Sequence, residues 1–510
     1  MDHTGETAVQ DYPSSFTEEF VRYCRAHHLP PQLFHELGDL LQGMPRYVRL
    51  RPQHALLREH AAEVDEKVDE SRIKATLATS FGTSVTSVQA VEWLPHPYYY
   101  AIPRGVAVNR ATVYQSGAVS AMDAASVAAV VALRPCKGEL VWDVCCSPGM
   151  KLSLMADAIG DSGVAVGTDI SLDRLFTTRS VLKKHRTGNV CLFATDGTSF
   201  SLRRAASALD SGALPLKNAG NGLTVWEERQ LKRSRKRRRP SVADTEGATT
   251  TTTTAEIDEC NELKNVTVVF APENARQRIG KRGEINDEVL EFDRVLVDAE
   301  CSHDGSLAHM YLSDATRKPF ATDGAMPAVI SGIDNAHRMQ RLHLAPQKSN
   351  QQLQSEKDLS PLLLLQLSLL QNGYEQLKPG GTLVYCTCSF TYQQNEFIVG
   401  EIIRRVNSSV EIQQKYRGEA VLCHPFTYLH EKASQESVSP IVQLTEAQVA
   451  SLQERLEKVG DPYGIVSATQ SENYLGSTFT GVRFWPHAFA TSFQFISKIW
   501  KKPLQTSDVV

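Results

Sequence analysis

The fold class predicted by the sequence is α/β: a doubly wound, Rossmann-like sheet with a small α+β region ahead of it and polar, disordered insertions within it. Three observations carry that expectation. Apolar runs alternate with amphipathic stretches from Glu139 to Thr387, the pattern of a mostly parallel sheet with right-handed crossovers. The first four runs end on an acid, at Asp143, Asp169, Asp196 and Asp298, so parallel strands would set all four carboxylates on one edge. The first run and its helix are joined by a tight turn, Asp143-Val-Cys-Cys-Ser-Pro-Gly-Met-Lys151. There Pro148 and Gly149 let the backbone approach a ligand, and the helix that follows offers unpaired amide donors.

In chain order, residues 1–13 are polar and read as loose. A helix is expected from Ser14, capped at Ser15, and another from Pro31 to Leu41. Pro45–Arg51 alternates apolar and basic residues. This suits an edge strand with solvated arginines or, alternatively, a basic strand facing phosphates. Residues 80–107 turn β-like, and Tyr98-Tyr-Tyr100 suits either mixed packing or base stacking. A helix over Ala124–Leu133 then leads to the first core strand. Gly163–Ile170, Val190–Asp196, Phe292–Asp298 and Thr382–Cys388 supply the remaining strands, with helices over Leu172–Lys184 and Leu362–Leu377. The last two strand-like stretches, Gly481–His487 and Thr491–Trp500, suit an antiparallel pair closing the sheet. The expected division is an N-terminal region over 1–110 and a core over 111–502, interrupted at about 203–264, 311–358 and 406–470. The first interruption carries a basic block, Lys232–Arg239, and a threonine run, Thr249–Thr254; low complexity marks it as a disordered loop. The block suits a nuclear-import signal, an RNA tether or plain solvated charge.

Bulk properties narrow the class. At 510 residues the chain has room for two or three domains, and 42% hydrophobic content is ordinary for a globular protein. No run of about 18 apolar residues occurs, so no membrane partner is expected. A signal-peptide core is missing, and the early acids Asp2, Glu6 and Asp11 argue against a mitochondrial presequence. A net charge of −4 carries no global nucleic-acid signature. The ten cysteines form no Cys-x-x-Cys pair, so neither a metal site nor a disulfide framework is expected, and free thiols are. The turn lacks a three-glycine dinucleotide pattern and a Gly-Lys-Ser/Thr phosphate loop.

A carboxylate closing the second strand of such a sheet typically accepts from ribose hydroxyls, which points to Asp169; Asp196 would face a base or a cationic amine. Cys301 and Cys388 stand where a substrate would lie, after the fourth strand and at the end of the fifth. Cys388, between Thr387 and Ser389, would act as a nucleophile if a nearby cation lowered its pKa, and Lys151 is the candidate cation.

Asp143–Lys151, Asp298-Ala-Glu-Cys-Ser302 and Thr387-Cys-Ser389, in this order with Lys378-Pro-Gly-Gly381 before the last, resemble the RNA cytosine-5 methyltransferases of the Sun/Nop type. The likeness spans roughly Val113–Trp500, with Asp123, Ser126, Arg483 and Pro486-His487 as further points. It implies a Rossmann-like methyltransferase sheet holding S-adenosylmethionine against Cys145, Cys146, Ser147, Pro148, Gly149, Met150 and Lys151. Asp169 would hold the ribose, with Arg174 alongside, Asp196 would lie near the adenine, and Asp298 would sit between methyl donor and base. Cys388 matches the nucleophile that adds to carbon 6 of cytosine, and Cys301 the cysteine that helps release product. The implied partner is tRNA or rRNA, its base unstacked or flipped out to react. A monomer is expected, in the nucleus or nucleolus on the strength of the basic block, with the cytoplasm as the alternative.

The chain departs from the resemblance at three positions: Glu300 replaces a proline before Cys301, Met150 replaces a second glycine, and Met122 stands where glutamine is common. A carboxylate beside Cys301 would raise that thiol's pKa by repulsion. Two competing readings stay open. One is an RNA-binding scaffold of the same fold with weak catalysis. The other is a methyltransferase acting on protein or small molecules, which leaves the two pocket cysteines without a role.

Overall fold

The computed structural model describes residues 43–52, 70–210, 266–285, 290–303, 305–306, 359–427, 437–458 and 481–504, and isolated positions near the start (12, 21, 22, 24, 25 and 31). Four strands form a small sheet: β1 (Arg46–Leu50), β2 (Gln89–Ala90), β3 (Tyr99–Ile102) and β4 (Val119–Ala121), in the order β2-β3-β1-β4. The main sheet holds β5 (Leu140–Asp143), β6 (Val164–Asp169), β7 (Val190–Ala194), β8 (Thr267–Phe270), β9 (Phe292–Asp298), β10 (Leu377–Thr387), β11 (Glu419–Cys423), β12 (Val482–Phe484) and β13 (Gln494–Lys502). Its order is β11-β13-β10-β9-β5-β6-β7-β8, with β12 paired to β13. The five central strands, β10 to β7, pair in parallel.

The expected doubly wound sheet is therefore present, and its chain path reverses at β5. From β5 the chain steps outward through β6 and β7, then returns to β5's other side with β9. Such a switch point opens a crevice beyond the strand ends, where ligands bind. Residues along β5 alternate between the faces. Leu140 and Trp142 join one core with Phe200 and Phe292, and Val141 joins the other with Leu152 and Leu296. Burial on both faces explains why these strands read as near-continuous apolar runs.

The helices that cover the core sheet are α2 (Ala124–Leu133), α3 (Met150–Ile159), α4 (Leu172–Lys184), α5 (Leu202–Asp210), α6 (Glu273–Ile285), α7 (Pro361–Glu375), α8 (Glu396–Val406), α9 (Val410–Tyr416) and α10 (Glu446–Lys458); α1 (Glu70–Phe81) packs within the small-sheet region. Their starts are written in sequence. Asp123 accepts from the amide of Ala125, Ser171 from Arg174, and Ser360 from Leu363 just ahead of Pro361.

Several expectations need correction. Pro45–Arg51 is not an edge strand, and two of its arginines neither meet solvent nor face phosphate. β1 lies between β3 and β4, and Arg49 is fully buried. Arg49 donates to Asp157 of α3 at 2.6 Å, and Arg51 donates to the same carboxylate and to the His185 carbonyl. The alternation reflects a charged clamp between the two sheets. The base-stacking reading also fails for Tyr99 and Tyr100, which are buried; the Tyr99 hydroxyl donates to the Ile441 carbonyl at 2.7 Å. The small sheet runs past residue 110, because Val119–Ala121 pairs with β1.

Residues 202–210 are helical, so the first interruption starts later than 203; just past its expected end, Thr267–Phe270 adds an antiparallel strand beside β7. Within 406–470, β11 joins the core sheet beside β13. The expected closing pair is present as β12 and β13. Lys232–Arg239, Thr249–Thr254, residues 311–358 and most of the expected N-terminal helices lie outside the described residues.

Candidate active site

The turn after β5 is built from its neighbours. The Cys146 amide donates to the Thr168 carbonyl at 2.9 Å, and the Thr178 hydroxyl donates to Ser147 Oγ at 3.1 Å. Gly149 has φ +97°, and a Cβ there would meet Thr178 Cγ2 at 2.6 Å, so only glycine fits. Met150 is the first residue of α3, and its helical position asks nothing of a glycine. Arg174 donates to the Ser147 carbonyl at 3.0 Å and stands 3.5 Å from Asp169 Oδ2, tying the turn to the end of β6. Burial pushes the Cys145 and Cys146 thiols up, and the Asp143 charge adds to it, so neither is a ready nucleophile.

Asp169 accepts from the Ser171 amide through Oδ1, while its buried Oδ2 accepts no hydrogen bond. Asp143 Oδ1 is likewise buried without a partner. Burial, with the Asp298 charge second, pushes the Asp143 carboxyl up to about 8. Two such acceptors at neighbouring strand ends suit a hydroxyl-bearing ligand. Asp196 lies just past β7 and accepts from the amide and hydroxyl of Thr198, both through Oδ1.

At the end of β9, Asp298 Oδ2 accepts from Lys151 Nζ at 2.7 Å and Oδ1 from Cys386 Sγ at 3.3 Å. Burial is the largest single influence and disfavours the Lys151 ammonium, but the Asp298 charge and hydrogen bond, with Cys386 and Asp143, together outweigh it and hold the lysine above its ordinary value. Lys151 therefore serves Asp298, and the sequence-based expectation that it activates Cys388 is corrected.

The cation beside Cys388 is His303. Its Nδ1 lies 3.1 Å from Cys388 Sγ and 3.7 Å from Cys301 Sγ, and the two sulfurs are 3.3 Å apart. The hydrogen bond with Cys301 pushes the Cys388 thiol down; burial opposes this, and His303 adds to it. In return, the contact with Cys388 and then Glu300 push the His303 imidazole up. Glu300, expected to act on Cys301, instead reaches His303 Nε2 at 3.7 Å and Arg174 at 3.9 Å.

Two sets of bonds hold the thiols in register. The Gly305 amide donates to the Cys388 carbonyl at 2.8 Å, and the Phe493 amide to the Gly305 carbonyl at 3.1 Å. A Cβ on Gly305 would lie 2.5 Å from that Cys388 oxygen. Gln394 accepts from the Ser302 amide at 3.0 Å and donates to Ser302 Oγ at 2.9 Å. Asn395 donates to the Ser389 carbonyl at 2.8 Å. His303 is held at φ +58°, which disfavours a residue with a Cβ by roughly 1–2 kcal/mol. Arg483 closes the base of this region, paired to Glu396 at 2.7 Å, while His487 stands beside the Trp485 ring.

The structure thus brings the turn, Asp169, Asp298, Cys301 and Cys388 to one edge of the sheet, as expected. His303, Gly305, Gln394 and Cys386 were missed. Only the Cys301-x-His303 spacing hinted at the first of them.

This edge combines an acid-lined crevice at the switch point of a Rossmann-like sheet with a thiol pair next to it. The family described as 16S rRNA methyltransferase RsmB/F matches residues 344–425. A mouse 28S rRNA (cytosine-C(5))-methyltransferase is 22% identical over 306 residues, covering 59% of this chain and 23% of that protein. A mouse mitochondrial tRNA (cytosine(34)-C(5))-methyltransferase is 27% identical over 121 residues, 24% of each chain. The ribosomal RNA small subunit methyltransferase B of Klebsiella pneumoniae is 40% identical over 53 residues, 10% of this chain and 12% of that one. A solved methyltransferase homolog protein from Pyrococcus horikoshii aligns with a TM-score of 0.45 at 18% identity, covering 96% of both chains. Over parts of its length, the chain is similar to RNA cytosine-5 methyltransferases. It spans less than a quarter of the length of the first curated relatives, 23%.

Proposed function

We propose that this protein methylates carbon 5 of cytosine in RNA, using S-adenosylmethionine and a transient bond from Cys388 to carbon 6 of the base. The observation that carries the reading is the Cys301–His303–Cys388 cluster at the end of β10, next to the Lys151–Asp298 pair. The turn Cys145–Lys151, Asp169 with Arg174 behind it, and Asp196 would hold S-adenosylmethionine, which supplies an electrophilic methyl group when bound. The free Oδ2 of Asp169 suits its ribose hydroxyls.

Cys388 adds as thiolate to carbon 6, which pushes electron density onto carbon 5. His303 stabilises that thiolate beforehand. Asp298 accepts from the exocyclic amine of the cytosine, an acceptor role suited to a carboxylate, and Lys151 fixes its orientation. After methylation Cys301, having released its own proton to solvent, takes the carbon-5 proton as thiolate. The electron pair of that C–H bond re-forms the ring double bond, and the C6–S bond breaks to return the Cys388 thiolate. The relatives named above act on rRNA and tRNA, which supports a structured RNA as substrate here. The basic block Lys232–Arg239 supports a nuclear or nucleolar location, checked by deleting it and imaging the protein.

The test is incubation with RNA containing 5-azacytidine. A denaturant-stable adduct forms with the native protein and is absent with Cys388→Ala. An adduct that survives Cys388→Ala but not Cys301→Ala would reverse the two roles. Bisulfite sequencing of treated RNA separates enzyme from scaffold, since a scaffold leaves no new methylcytosine.

A further inference from the structure

We infer that Cys301, His303 and Cys388 form a binding site for a soft divalent metal, with Zn²⁺ the best fit, and that metal at this site silences the nucleophile. The metal-binding half stands on geometry alone; the silencing half rests on the proposed role of Cys388. Among the described residues, these three side chains are the group whose ligand atoms converge, all within 4.8 Å of one another.

The triangle comes within about half an ångström of the dimensions a tetrahedral ion imposes. With Zn–S near 2.3 Å and Zn–N near 2.0–2.1 Å, ligand pairs at tetrahedral angles lie about 3.8 Å (S···S) and about 3.6 Å (S···N) apart. The observed separations are 3.3 Å for the sulfur pair, and 3.1 and 3.7 Å from the imidazole nitrogen to the two sulfurs. Shifts of about half an ångström, within rotamer adjustment, would close the site on an ion. Three protein ligands leave the fourth position to water, the open arrangement of exchangeable sites.

A second feature also points to metal. Histidine ligands usually have their other ring nitrogen oriented by a carboxylate. Glu300 stands where it would supply it, its Oε1 forming an ion pair at 3.7 Å with His303 Nε2, a short shift from hydrogen-bond distance, while Nδ1 faces the sulfurs. The residue that departs from the family's proline thus has a place in the site. Both thiolates and a neutral imidazole are required, so any protons on Cys301, Cys388 and His303 leave to solvent as the ion enters. Once the ion holds the sulfur lone pair of Cys388, that pair cannot attack carbon 6, and metal and RNA adduct exclude each other.

The test is titration of the full chain with Co²⁺, whose thiolate charge-transfer and tetrahedral visible bands report the ligands, followed by displacement with Zn²⁺. One ion per chain is expected. The bands should vanish in Cys301→Ala, His303→Gln and Cys388→Ala, each checked for folding by circular dichroism. They should persist in Cys423→Ala, and Glu300→Gln should weaken binding by about 10-fold, within the 10- to 100-fold range for such orienting partners. No bands in the native chain, or bands undiminished in any of the three ligand variants, overturns the site. These readings need no RNA, so they stand apart from the adduct assay. In that assay Zn²⁺ should suppress the 5-azacytidine adduct and a chelator restore it; an adduct indifferent to bound Zn²⁺ overturns the silencing.

Discussion

The clamp between the two sheets yields the sharpest energetic prediction. Asp157 on α3 receives Arg49 at 2.6 Å and Arg51 Nε at 3.0 Å, and all three side chains are nearly inaccessible. Replacing Asp157 with Leu leaves two guanidiniums buried without their counter-charge, a cost of about 3–5 kcal/mol. With a urea slope of roughly 3 kcal/mol/M, the unfolding midpoint should drop by about 1–1.7 M. The triple variant Arg49→Met/Arg51→Met/Asp157→Leu removes all the charges together and should recover most of that loss, because the desolvation penalty goes with them. Urea unfolding followed by fluorescence reads both. A single variant within about 1 kcal/mol of the native protein, or a triple variant as unstable as the single, would refute the reasoning.

The same clamp sets an acid limit on stability. Burial, and then Arg51 and Arg49, lower the His185 imidazole to about 4, so the unfolded chain binds the extra proton and stability should fall as pH drops from about 6.5 toward 4. Burial works against the Asp157 charge, but the arginines outweigh it and lower the carboxyl; its contribution persists to more acid pH and is then lost. Melting temperatures from neutral pH down to well below pH 4 check the order of the two losses. Under the proposed reading, Cys301→Ala should accumulate the RNA adduct, visible as a slow band on denaturing gels, where Cys388→Ala forms none. Asp169→Ala should weaken S-adenosylmethionine by about 10- to 100-fold in calorimetry, the value of charge-assisted hydrogen bonds of roughly 1.5–3 kcal/mol. Gly305→Ala should depress turnover far more than stability, since relieving the 2.5 Å contact with the Cys388 oxygen displaces the thiol loop while costing about 1–3 kcal/mol.

The central sheet was legible because strands buried on both faces write their burial into unbroken apolar runs, as at Val164–Asp169 and Phe292–Asp298. β8 was not, since four residues, Thr267–Phe270, carry too little pattern to separate strand from loop. Arg49 was misread for a different reason. Alternation with apolar residues signals a half-wet strand, and the carboxylate that dries it lies 108 residues away. At the site, single-residue signals survived: strand-end acids and a cysteine between Thr387 and Ser389. His303 escaped because its meaning depends on Cys388, 85 positions later. Likewise, Lys151 was assigned to the wrong anion because sequence supplies charge but not distance.

The Gly305 stitch has a consequence for how this chain tolerates change in length. Residues 307–358 lie outside the described residues, between Ser306, directly beyond the stitch, and Leu359, next to the Ser360 cap of α7. The first anchor is tied to the sheet by the bonds from Gly305 to Cys388 and Phe493, and the second is fixed by the cap of α7. The entropy of closing a loop rises only with the logarithm of its length, about 0.6 kcal/mol for each doubling. Segments of quite different size can therefore be spliced between these anchors while the sulfurs keep their spacing. The thiol pair is thereby insulated from changes in the length of the chain between these anchors.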